Sequence, residues 1–185
     1  LGVTPLGRPR LLAAKIATQL WLKPKPQNLV FLAFLIVVWA ANGLTHLEWT
    51  GWTADTATAG LHGGIYALCS MIAVVGGRVT PAFTRSAMLR EGIEDNLPVS
   101  RRFVEMPAVL LFAAIPVALM AGLPEHLLAL LFGAAGSLQL FRVAGWRPGY
   151  ARSQPIIWSL HLSLALIGAG YILTALALAG WGSDI

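Results

Sequence analysis

Five apolar runs, residues 28–47, 57–76, 103–121, 125–144 and 155–180, are separated by short polar or charged connections. Each is long enough to cross most or all of a hydrocarbon core ~30 Å thick at 1.5 Å per helical residue. The second run sets the pattern for the rest. From residue 60 to residue 75 no side chain carries a formal charge, and Gly77-Arg78 then ends the run abruptly. At helical spacing Ile65, Leu68, Ile72 and Val75 form an aliphatic face turned to lipid. His62, Tyr66, Cys69, Ala73 and Gly76 form the opposite face, whose small and hydrogen-bonding groups suit packing against other helices. Pro81 lacks an N–H and clashes with the preceding turn, so the chain is expected to turn near Arg78. In the fourth and fifth runs, Gly133, Gly136 and Gly168 mark where helix backbones approach closely.

Composition agrees with this reading. The 185 residues are 57% hydrophobic and only 11% charged, far below the ~25% usual in soluble domains. The predicted fold is all-α, a polytopic transmembrane bundle over residues 28–181. A basic interfacial or pre-span segment, residues 1–27, precedes it. Beginning at Leu1 without a signal-peptide pattern, the chain reads as a piece of a longer protein. Its partners would then be lipid, the remaining spans of that chain and further copies of itself. A net charge of +5 raises nucleic acid as a partner, but the basic residues lie between spans rather than in one patch. Five fall in residues 1–27, none in 45–58, five in 77–102, none in 122–126, three in 142–154 and none after 180. That alternation predicts five spans with the arginine-rich loops in the cytoplasm.

The same topology sorts the histidines. His46, His62 and His126 fall toward the outer side, and His161 toward the inner. His62 and His161 are expected to face the bundle interior, with His46 and His126 at the outer interface. Neutral imidazole is a common ligand for metals and haem iron, and an ionisable group inside a membrane is a functional candidate. His62 and His161 differ by about 10–15 Å in height at 1.5 Å per residue, so they cannot share one metal. A metal on the outer side would draw on His62 with His126, His46 or Glu125. Arg78 reads first as a topology arginine snorkelling to the interface, and the alternative is a fork onto an anion such as a haem propionate. A lone Cys69 excludes a disulfide framework, a CxxC zinc site and covalent haem attachment. No Ser/His/Asp order, catalytic carboxylate pair or phosphate-binding glycine loop is present.

The run Gly76-Gly77-Arg78-Val79-Thr80-Pro81-Ala82-Phe83-Thr84 resembles the GGR-x-x-P-x-F-T signature of the NnrS family, polytopic bacterial inner-membrane proteins. Residues 27–49, an asparagine-led span, and residues 155–171, with Trp158, Leu160-His161 and Gly168, resemble the same family. The likeness runs from about residue 25 to residue 181, and the nine-residue signature is its specific part. It implies haem b and copper as cofactors, a role in the response to nitric oxide and nitrosative stress, and importance for Arg78 and His161. Family members have about twice as many spans. Their C-terminal histidine span and Arg-rich Gly-His motif have no counterpart here. The alternatives are a polytopic transporter for a small anion and a structural subunit of a membrane cytochrome complex.

Overall fold

The computed structural model describes residues 26–181, so the basic segment expected over residues 1–27 lies almost wholly outside it. Among the described residues the elements are all helical. They are α1 (Pro26–Trp49), α2 (Ala57–Arg90), α3 (Arg102–Met120), α4 (Glu125–Ala144), the single turn α5 (Pro148–Ala151) and α6 (Pro155–Leu178). Five of the six are long and apolar enough to cross a membrane. The chain divides into compact units at residues 1–36 and 37–185; the first holds the opening stretch of α1, and the second everything that follows.

Within the second unit, α4 and α6 make the most extensive helix pair, followed by α2 with α3. Small residues permit both. A Cβ on Gly136 would lie 2.6 Å from the Gly168 carbonyl oxygen, and one on Gly63 would meet the Met120 side chain. Gly133 faces Ala175 at an ordinary 3.6 Å. A cluster of aromatic rings joins four helices at mid-height: Tyr66 of α2, Phe112 of α3, Phe132 of α4 and Tyr171 of α6, with centroids 4.7–5.5 Å apart. Such pairs add about 0.5–1.5 kcal/mol each beyond area burial. The Tyr171 hydroxyl meets Ser70 Oγ at 3.0 Å and the Tyr66 hydroxyl meets Thr174 Oγ1 at 3.0 Å, so neither phenol is buried without a partner.

Helix α2 does not end near Arg78. It runs for 34 residues, through Pro81, to Arg90. At 1.5 Å per residue that is about 51 Å, against a ~30 Å core, so its last third projects beyond the membrane. Pro81 removes only the hydrogen bond to the carbonyl of Gly77, and the helix continues past it to Arg90. The helix stops at Gly92 (φ +74°), where the amides of Gly92 and Ile93 return to the carbonyls of Leu89 and Met88. The predicted turn at 122–124 closes α3 the same way, at Gly122 (φ +66°).

The buried stripe of α2 is also turned by one residue from the predicted face. Gly60, Gly63, Ala67, Ser70, Ala73, Gly77, Thr80 and Thr84 are buried. Ile65, Leu68, Ile72 and Val75 are exposed, as the pattern required. His62 is exposed rather than interior, because the contact line passes through Gly63, where Met120 packs.

Candidate functional site

The residues of the GGR-x-x-P-x-F-T run divide between two surfaces. Gly76 makes room for Leu164 of α6, and Gly77 for the guanidinium of Arg142 of α4. Pro81, Thr80 and Thr84 are buried, and Thr84 Oγ1 donates to the Thr80 carbonyl at 2.8 Å. Arg78 and Phe83 point outward. Gly77 has two roles in one place. It is the residue whose carbonyl Pro81 leaves without a helical donor, and it is the surface on which a buried cation rests.

That cation is held tightly. Arg142, 1% exposed, donates from Nε to Glu105 Oε1 at 3.2 Å and from Nη2 to Glu105 Oε2 at 2.5 Å, a two-point fork from α4 to the first turn of α3. Its Nη1 donates to Gln139 Oε1 at 2.8 Å, one helical turn earlier. Its guanidinium carbon lies 5.4 Å from the centre of the Trp146 ring. Trp146 in turn faces His161 edge-on, with centroids 6.5 Å apart. Gln139 Nε2, next to the ion pair, and Thr80 Oγ1 of α2 are buried with no partner among the described residues. The result is a polar core set inside the arginine-rich end of the bundle.

His161 is interior, as expected, and 1% exposed. Its Nδ1 lies 2.9 Å from the Ile157 carbonyl and its Nε2 3.1 Å from the Trp146 carbonyl. Both partners only accept hydrogen bonds, so one ring nitrogen donates to a carbonyl and the other is closed in by a second carbonyl oxygen. In this geometry His161 ties α6 to the turn after α4. Arg78, His46, His62 and His126 are all exposed. Among the described residues no group of three or more His, Cys, Asp or Glu side chains converges closely enough to hold a metal. His62, His126 and His46 form no such group among the described residues.

One of these histidines does line a cavity. At the end of the bundle opposite the arginines, an open apolar pocket of about 880 Å³ is walled by Trp39, Gly43, Leu47, Trp52 and Val117. His46, Thr50 and Met120 also line it, bringing an imidazole, a hydroxyl and a thioether into a mostly apolar space. Sequence reading placed His46 among the outer metal candidates but gave no weight to Met120. It also missed the Glu105–Arg142–Gln139 core. An acid inside an apolar span, and Gln139 and Arg142 one turn apart on one helix face, were the available signals.

The glycine of the signature yields a direct test. Gly77→Ala puts a methyl group into the space of the Arg142 guanidinium, which is pinned by three hydrogen bonds and cannot swing away cheaply. The variant should unfold about 1–3 kcal/mol more easily in detergent, the usual cost of overpacking. In a background where Glu105 and Arg142 are both alanine, the same change should cost little. Equal costs in both backgrounds would show that the guanidinium does not rest on Gly77.

No curated protein and no solved structure matches this chain. The family model described as NnrS protein matches residues 6–184, nearly the whole length, and the chain belongs to the NnrS family.

Proposed function

We propose that this protein serves the response to nitric oxide as a haem-carrying protein of the bacterial inner membrane, with its arginine-rich end in the cytoplasm. Membership of the NnrS family over residues 6–184 carries the reading. The alternation of basic loops supports the orientation, since every arginine among the described residues falls at one end of the antiparallel bundle.

The donor set of the outer pocket suits haem better than any other group of residues described. Imidazole and thioether are both accepted by haem iron, and the pocket volume falls within the roughly 300–1,000 Å³ usual for cofactor sites. His46, Met120, Trp39 and Trp52 would hold the group, and a haem there would supply an iron able to bind nitric oxide. Imidazole and thioether are donors for copper as well, so it is the volume and apolar walls of the pocket, rather than its donors, that favour haem there.

An optical spectrum of the purified full-length protein tests this reading. A Soret band is expected that shifts when nitric oxide is added to the reduced protein. His46→Ala should lose most of that band, while His62→Ala, His126→Ala and Arg78→Gln keep it. Cells lacking the protein should grow more slowly under nitric oxide. A colourless protein removes the haem, and unchanged growth removes the role.

A further inference from the structure

The arginine-rich end holds a second cavity, a cleft of about 980 Å³. Guanidiniums reach it from separate parts of the chain: Arg85 on the projecting part of α2, Arg101 just before α3, and Arg147 in the turn between α4 and α5. Arg142 and Glu105 also line it. Since Glu105 is already spent on Arg142, it leaves the other three charges uncompensated. Arg85, Arg101 and Arg147 are exposed and make no ion pair or side-chain hydrogen bond among the described residues. Topology alone would ask only that arginines lie on this side of the membrane. It would not ask them to converge on one cleft.

Two features mark the cleft as built rather than incidental. Arg147 holds a left-handed backbone (φ +62°, ψ +54°), sparsely populated by residues with a side chain, and Asn96 on the cleft wall does the same (φ +51°). The remaining walls are apolar, and two of their side chains, Val99 and Phe141, are 65% and 64% exposed. A soluble anion needs no such hydrocarbon. A ligand with a phosphate head and an acyl body uses both halves of the lining, and the cleft sits at the end of the membrane-spanning parts of α2, α3 and α4. Guanidinium matches phosphate oxygens by a planar fork.

We propose that this cleft binds the phosphate of an anionic phospholipid in the leaflet facing the arginine-rich end, with Arg85, Arg101 and Arg147 on the headgroup and Val99 and Phe141 on the chain. The site is distinct from the outer pocket and does not depend on haem.

The experiment compares the full-length protein in nanodiscs of phosphatidylcholine alone and with phosphatidylglycerol added. Unfolding temperature and lipid retained in native mass spectrometry are both read. Phosphatidylglycerol should raise the unfolding temperature of the wild type and be retained. Arg101→Gln with Arg147→Gln should weaken retention roughly twenty-five-fold, about fivefold per basic side chain lost at an anionic surface. Arg78→Gln, an exposed arginine outside the cleft, should behave as wild type. Should the double variant fail to fold, Arg85→Gln alone carries the test, with a fivefold loss expected. Equal losses in the cleft variants and Arg78→Gln would overturn the proposal in favour of diffuse attraction. Stabilisation by inorganic phosphate in phosphatidylcholine, matching that of the lipid, would overturn the lipid assignment in favour of a soluble anion.

Discussion

Glu105→Ala alone should destabilise the protein by about 3–5 kcal/mol, because it leaves the Arg142 guanidinium buried without its counter-ion. Arg142 is 1% exposed and Glu105 17%, so the acid keeps some water and the cation almost none. The upper end of that range is therefore expected for Glu105→Ala, which strands the more buried of the two charges. Replacing both partners, Glu105→Leu with Arg142→Met, should recover much of the loss. Taking two ions out of water costs nearly as much as their attraction returns, and apolar groups of similar volume avoid that cost. Denaturant unfolding in micelles measures both variants. If the single and double replacements destabilise equally, the pair is not the element that holds α3 to α4 here. Gln139 makes the outcome sharper, since its Oε1 loses a donor when Arg142 goes while its Nε2 already lacks an acceptor among the described residues.

The second large effect is expected at the α4–α6 contact. A Cβ on Gly136 would stand 2.6 Å from the Gly168 carbonyl oxygen and 3.0 Å from the Ile172 amide nitrogen. These are backbone atoms, so the helices must move apart to admit any side chain. Gly136→Leu should cost at least the 1–3 kcal/mol typical of overpacking, roughly, and reduce folded yield. Gly133→Ala should be tolerated, because Ala175 lies at an ordinary distance. Leu130→Ala, on a side chain 69% exposed, should stay within about 0.5 kcal/mol of wild type. Folded yield and resistance to SDS in the three variants check the ranking. A Gly136→Leu protein as robust as Leu130→Ala would mean that α4 and α6 do not approach at that point.

Much of this was legible from the chain because lipid imposes a simple rule. Apolar length places the helices, and glycine spacing places their closest contacts, so Gly136 and Gly168 were found without any tertiary information. The errors come from effects that the rule does not contain. One helical residue turns 100°, so a face assigned by pattern can be off by a single position, and that is how His62 was put inside and Gly63 was passed over. Proline usually stops a helix, but it removes a single hydrogen bond, and α2 runs on through Pro81 to Arg90. Glu105 and Arg142 are 37 residues apart, near the ends of different spans, where charge ordinarily marks topology. Only the fold shows that they meet. His161 was singled out for a lone pair that two backbone carbonyls face, and no sequence pattern announces a carbonyl.

The unbroken length of α2 has a mechanical consequence. Because the helix does not stop at Pro81, the stripe that seats Gly63 on α3 and the stripe that seats Gly77 and Thr84 on the arginine-rich end are in register along one shaft. Inserting a single residue at position 79 would rotate everything beyond it by about 100°, turning Thr84 outward and bringing Phe83 into its place. A chain with a hinge at that point could absorb such a slip. This one must transmit it, so the two ends of the bundle are phased to each other across the whole membrane.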